Sequence, residues 1–205
     1  PNGTSMLIED VACPVESLGK MTKDLIKMFQ KYGYSDASAF GHALEGNLHL
    51  VFSQGFRSTA EIERFDAMMQ EMAYIVATKH KGSLKAEHGT GRNMAPFVEM
   101  EWGTRAYDIM WKLKAIFDPE NILNPGVILN KDPEIHMKSL KQSPVADSSY
   151  DVANKCIECG FCESNCPAKD VTLTPRQRVT VYREISRLKA KGSRTMEEEE
   201  RLQQM

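Results

Sequence analysis

Three features of the 205-residue sequence predict an α+β chain in two parts. Apolar residues recur at a period of two in some segments and of three to four in others. The segments follow in the order β-α-β-β-α-β, the order of a ferredoxin-like split βαβ unit with an antiparallel sheet. A polar stretch then separates this part from a cysteine cluster and more helix. The expected layout is a sheet domain over residues 1–130, a linker over 131–155 and a small α-helical domain over 156–205.

Each element has its own signal. Residues 5–11 (SMLIEDV) read as a strand. Pro14 opens a helix whose Leu18, Met21, Leu25, Met28 and Tyr32 repeat at three and four, and Gly33 ends it. Residues 37–43 and 48–53 read as a hairpin turning at Glu45-Gly46-Asn47. Ser58 with Glu61 forms a capping box for a helix carrying Ile62, Phe65, Met69, Met72 and Val76 on one face. That methionine-rich stripe is read as core packing rather than as a cofactor lining. Lys81-Gly82 closes the helix, and residues 83–86 read as a fourth strand. A helix over about 104–117 stops at Asp118-Pro119. The linker is marked by Asp132, Pro133, Ser143, Pro144, Ser148 and Ser149. Pro175 opens a helix with Val179, Tyr182, Ile185 and Leu188 on one side, and Glu197 to Glu200 read as a solvated helix face.

Composition excludes several classes. Lys and Arg total 26 against 28 for Asp and Glu, so the basic balance of a nucleic-acid binder is absent. No stretch approaches the roughly 20 apolar residues of a membrane span, and no signal peptide opens the chain. Pro1-Asn2-Gly3 reads as a turn and Gln203-Gln204-Met205 as the inside of a helix, so the chain is expected to be a piece of a longer protein. Four of five cysteines lie between 156 and 166, too close for a disulfide framework. This clustering predicts a reducing, cytoplasmic setting.

The spacing Cys156-x2-Cys159-x2-Cys162-x3-Cys166-Pro167 matches the bacterial ferredoxin pattern for a [4Fe-4S] cluster. A zinc site would usually pair two Cys-x2-Cys knuckles across a gap and rarely end in Cys-Pro. In two-cluster domains the fourth cysteine serves the other cluster, so Cys166 is expected to do so. Cys13, at a strand end before a helix, is read as a small buried or capping residue. A second constellation joins the hairpin to a later segment. His42 and His49 stand on its facing arms, and Glu87-His88-Gly89-Thr90-Gly91-Arg92 follows some forty residues on. Two imidazoles and a carboxylate make a three-ligand metal site with an open position. On spacing alone, hydrogen-bonded structural histidines remain an open alternative. In an ideal split βαβ sheet, Glu87 reaches His42 only through a longer or bent fourth strand.

GHALEGNLH, EHGTGR and FDPENILNPGVIL, in that order, resemble the C-terminal cap domain of FAD-linked oxidases of the vanillyl-alcohol oxidase family. The trailing CIECGFCESNCP resembles the iron–sulfur domain carried on the same chain by D-lactate and D-2-hydroxyglutarate dehydrogenases. The resemblance implies an upstream FAD-binding domain. It also implies His42, His49 and Glu87 as ligands of a divalent metal, usually zinc, His88 as general base, and Asn47 near substrate and flavin. Asn124, in Asn124-Pro125-Gly126, is similar to the segment touching FAD, with plain turn chemistry as the alternative. Arg92 can hold a substrate carboxylate or a structural ion pair. The family's hairpin often has Asp-Gly-Asn where this chain has Glu45-Gly46-Asn47, a change that keeps the charge.

The implied activity is oxidation of a D-2-hydroxy acid of the D-lactate type to the 2-oxo acid. Electrons would pass through FAD and [4Fe-4S] to a cytochrome or quinone, in the cytoplasm or peripherally at the inner membrane face. Two other classes stay open: an iron–sulfur electron-transfer subunit without its own substrate site, and a metal-dependent hydrolase. The first leaves His42, His49 and Glu87 idle, and the second leaves the cysteines idle.

Overall fold

A computed structural model describes residues 3–146 and 150–205. Pro1 and Asn2 of the expected opening turn, and Ser148 and Ser149 of the expected linker, lie outside the described residues. Backbone contacts divide the chain into two units. The larger comprises Met6–Gln54 and Ser58–Leu140, and the smaller Pro1–Ser5, Gly55–Arg57 and Lys141–Met205.

The larger unit is mixed α and β. Strand β1 (Ser5–Ala12) leads through a 3-10 turn at Val15–Ser17 into helix α1 (Leu18–Lys31). Helix α1 ends as the sequence predicts: Tyr34 N–H reaches Phe29 O and Gly33 N–H reaches Gln30 O, a Schellman pattern. Strands β2 (Ser38–Phe40) and β3 (Asn47–Gln54) pair antiparallel with Phe40 opposite His49, and the sheet order is β1-β3-β2. Helix α2 (Thr59–Ala73) starts at the expected capping box, where Ser58 and Glu61 exchange both bonds. It runs into a π-helical segment, Tyr74–Lys79, that periodicity did not predict. Helices α3 (Val98–Trp102) and α4 (Thr104–Phe117) follow. No residue of α4 is buried, and Ile109, Leu113, Ile116 and Phe117 are exposed. Asp118 caps its end by accepting the N–H groups of Ile122 and Leu123.

Two strand expectations need correction. The second strand was expected over 37–43 but covers three residues, because a 3-10 turn at Ala43–Glu45 takes the chain out of the ladder. The fourth strand, expected over 83–86, is a single antiparallel bridge between Ala12 and Ser83. Past that bridge Ala86 N–H still reaches Asp10 O, but Leu84 N–H goes to Glu101 Oε2 and Glu87 N–H to Asp10 Oδ2. Gly82 allows the bridge to close, since a Cβ there would stand 2.1 Å from Ala12 O.

The core of this unit lies between α1, α2 and the inner sheet residues. Phe29, Tyr34 and Phe52 form an aromatic cluster with centroids 5.2–5.9 Å apart. Met68, Met69 and Met72 are fully buried, so the methionine stripe is core. Each such side chain contributes about 1.5–3 kcal/mol by leaving water. In the smaller unit, α5 (Asp151–Asn154), α6 (Pro175–Ala190) and α7 (Met196–Gln204) hold the regular structure. Capping boxes at Thr174 with Gln177 and Thr195 with Glu198 start its two longer helices. Its buried apolar side chains among the described residues are Phe56, Ala146 and Leu188, a thin core.

Candidate functional site

Strand β1 carries two adjacent acids in an otherwise apolar run, and both are buried although they face opposite ways. Glu9 pairs with Lys85 at 2.7 Å and accepts the Asn93 amide at 2.7 Å. Asp10, fully buried, accepts the backbone N–H groups of Glu87 at 2.6 Å and His88 at 2.8 Å on Oδ2. Its Oδ1 takes the Asn47 amide at 2.6 Å. Burial pushes the Asp10 carboxyl up, but these donors and the nearby His88 ring outweigh it and hold it below the usual range. Thus the segment from 85 to 93 is held at four residues, Lys85, Glu87, His88 and Asn93, by the Glu9 and Asp10 carboxylates.

The clamp delivers Glu87 to the hairpin histidines. Glu87 Oε1 lies 3.1 Å from His49 Nε2, 3.5 Å from His42 Nε2 and 3.9 Å from His88 Nε2. The rings of His49 and His88 stack at 4.9 Å and 8°, while His42 meets His49 edge-on at 5.5 Å. His49 is buried, with Nδ1 3.5 Å from Asp10 Oδ1 and no hydrogen bond closing that gap. Asp10, His49, Glu87 and His88 each offer a ligand atom within 4.8 Å of the others. His42 joins them through Glu87. It stands in this position because Gly46 lets the 3-10 turn close: its φ is 68°, and a Cβ there would meet Cys13 O at 2.0 Å.

Measured against a divalent cation, His49 and Glu87 belong to the group within 4.8 Å, whereas the expected ligand His42 lies outside it. Tetrahedral zinc with bonds of about 2.0–2.1 Å sets neighbouring ligand atoms about 3.3–3.4 Å apart. The two Glu87–histidine separations of 3.1 and 3.5 Å bracket that value. Asp10 is a poor ligand because Oδ1 and Oδ2 already accept three short bonds. His88, with both ring nitrogens 3.9 Å from the nearest carboxylate oxygen among the described residues, is the imidazole left unengaged.

The other expected site residues fall elsewhere. Asn47 is buried and spends its amide on Asp10 and on Val11 O, while its Oδ1 accepts no hydrogen bond. Arg92 forms no ion pair among the described residues and donates to Pro125 O at 3.2 Å. Asn124 sits at φ 45° in an exposed turn, its carbonyl accepting Val127 N–H. Cys13 is a buried free thiol, pushed up by that burial. The residue that sequence reasoning missed is Asp10. Its signal was present, since two acids side by side inside a predicted strand must each find buried partners.

In the smaller unit, Cys156, Cys159, Cys162 and Cys166 are free thiols, half-buried to exposed. The chain through them coils in successive turns, with Glu163 N–H to Gly160 O and Cys166 N–H to Glu163 O. Glu158, at φ 61°, donates its N–H to Cys156 Sγ at 3.4 Å. The buried Arg183 of α6 donates to Ala153 O and to Cys156 O, the latter at 2.8 Å. These four free thiols are the residues of this unit that would hold a metal–sulfur group.

Fold and site together define an α+β domain whose hairpin and clamped loop present a three-histidine, one-carboxylate cluster at its surface. Residues 1–128 match the family model described as FAD linked oxidases, C-terminal domain, and the chain belongs to that family. It is 37% identical over 126 residues to the glycolate oxidase subunit GlcD of Bacillus subtilis, covering 62% of this chain and 26% of that protein. It is 34% identical over 93 residues to a D-lactate dehydrogenase of Anaerostipes hadrus, covering 45% and 20%. Against the mitochondrial D-2-hydroxyglutarate dehydrogenase of Danio rerio it is 30% identical over 118 residues, covering 57% and 21%. The chain thus spans about a quarter or less of the length of these relatives. No helix among the described residues is long and apolar enough to cross a membrane.

Proposed function

We propose that this chain supplies the substrate-side domain and an iron–sulfur segment of an FAD-dependent dehydrogenase acting on a small D-2-hydroxy acid of the D-lactate type. The observation that carries the reading is the approach of His42, His49 and His88, each by Nε2, to Glu87 Oε1. His42, His49 and Glu87 would hold a divalent metal, zinc by donor type. When bound, that cation supplies Lewis acidity to a substrate hydroxyl, and the flavin of an upstream domain supplies the hydride acceptor. His88, with no carboxylate oxygen closer than 3.9 Å to its ring nitrogens among the described residues, takes the hydroxyl proton. The D-lactate and D-2-hydroxyglutarate on which two of the relatives act, by name, support the substrate class. Asn47 would act near substrate and flavin from its place beside Asp10. Asn124 would lie toward the FAD, and Arg92 would serve a substrate carboxylate by leaving Pro125 O.

Cys156, Cys159, Cys162 and Cys166 would carry [4Fe-4S] ligation, passing electrons singly to a cytochrome or quinone in the cytoplasm or at the inner membrane face. Full-length protein should contain flavin and zinc, and should reduce an artificial dye with D- but not L-2-hydroxy acids. Replacing any of the four cysteines by Ser should lower iron content while leaving zinc unchanged. Protein without flavin would return the reading to an electron-transfer subunit or a metal-dependent hydrolase. Intact iron in all four variants would remove the cluster from it.

A further inference from the structure

We propose that Asp10 is the positioning residue of the histidine–carboxylate site, a role that rests on the metal reading above. Two segments distant from β1 in sequence, the start of β3 and the loop at Glu87-His88, meet on one buried carboxylate. Asp10 Oδ2 receives the N–H groups of Glu87 and His88, 77 and 78 residues away. Its Oδ1 receives the Asn47 amide, 37 residues away, at the start of β3. The same Oδ1 lies 3.5 Å from His49 Nδ1, a buried nitrogen without any hydrogen bond.

The consequences follow from donor counting. A carboxylate only accepts, so every atom directed at Asp10 must be an N–H. A His49 tautomer with its proton on Nδ1 would turn that proton toward Asp10 Oδ1 and leave the Nε2 lone pair toward Glu87 Oε1, 3.1 Å away. Asp10 also fixes the backbone under Glu87 and His88, so the metal-holding carboxylate and the unengaged imidazole are set by one group. A fourth strand contributes little here: beyond the isolated Ala12–Ser83 bridge, Ala86 N–H to Asp10 O is the one further backbone bond to β1 among the described residues. Asp10 itself already accepts three short bonds, which makes it a poor ligand. An asparagine could not replace it: in either orientation its NH2 would face the Asn47 amide or the two backbone N–H groups.

The test uses the full-length protein and zinc alone, with chelator competition as the readout. Asp10→Asn should weaken zinc binding about 10–100-fold, the usual loss when a ligand's supporting partner is removed. The hydrogen exchange of the Glu87 and His88 amides in metal-free protein should accelerate in the same variant. Should Asp10→Asn fail to fold, Asn47→Ala keeps the charge, removes one donor, and should weaken zinc binding in the same direction. A folded Asp10→Asn protein with wild-type zinc affinity overturns the proposal, as does unchanged affinity in Asn47→Ala. Wild-type affinity that ignores His49→Ala would sink the metal reading itself, whatever Asp10 does.

Discussion

The histidine–carboxylate cluster and the cysteine segment are both sets of metal-type ligands, but they rest on different supports. The first draws on β1, the 3-10 turn at Ala43–Glu45, β3 and the loop around Glu87, and two of its parts, Asp10 and His49, are buried. Its geometry is held by short bonds among residues far apart in the chain, over a core that includes Phe52, Met69 and Leu50. The second lies within eleven consecutive residues, at the surface of a unit with a thin core, and is tied down by the Arg183 guanidinium. A scattered site must be preorganised by tertiary packing, whereas a contiguous one can be shaped by local turns and by the group it binds.

The largest expected effect tests the function of the scattered site. His88→Ala in the full-length enzyme should lower kcat by about 10²–10⁴, the usual general-base contribution, with zinc content unchanged. Near-normal turnover would remove His88 from the chemistry, and loss of zinc would make it a fourth ligand. A second test compares the supports themselves. Phe52→Ala, in the aromatic cluster of the larger unit, should destabilise it by about 3–5 kcal/mol in denaturant unfolding. Phe161→Ala, in the exposed cysteine segment, should change stability by no more than about 0.5 kcal/mol. Equal effects would erase the contrast between the two regions.

The smallest effects appear in pH titrations and have opposite sense in the two units. Burial pushes the Tyr34 phenol up to about 12 against the opposing Arg64 guanidinium. The folded state therefore disfavours the phenolate. Stability from this group is fully present below the ordinary value of 10 and is lost as pH rises toward 12, which absorbance of tyrosinate will follow. Glu198 is drawn down to about 2 by hydrogen bonds from the Lys191 ammonium and the Thr195 backbone. Its contribution is present above 4.5 and is lost as pH falls toward 2, so helix α7 should fray in that window by circular dichroism. Fraying that begins on the alkaline side instead would contradict the assignment.

What the sequence determined by itself is what neighbours along the chain encode. The Ser58–Glu61 capping box, the stop of α1 at Gly33, helix α4 ending before Asp118-Pro119 and the cysteine spacing each depend on residues a few positions apart. His42, His49 and Glu87, proposed here as ligands, were also legible as residue types, through motifs that resemble a family. Tertiary structure decided how they meet. It cut the second strand to three residues, reduced the fourth to one bridge, turned Arg92 onto Pro125 O, and gave Asp10 its three donors. The reason is desolvation: a charge at the interior of β1 is tolerated only where distant N–H groups reach it, and no local pattern states which those are.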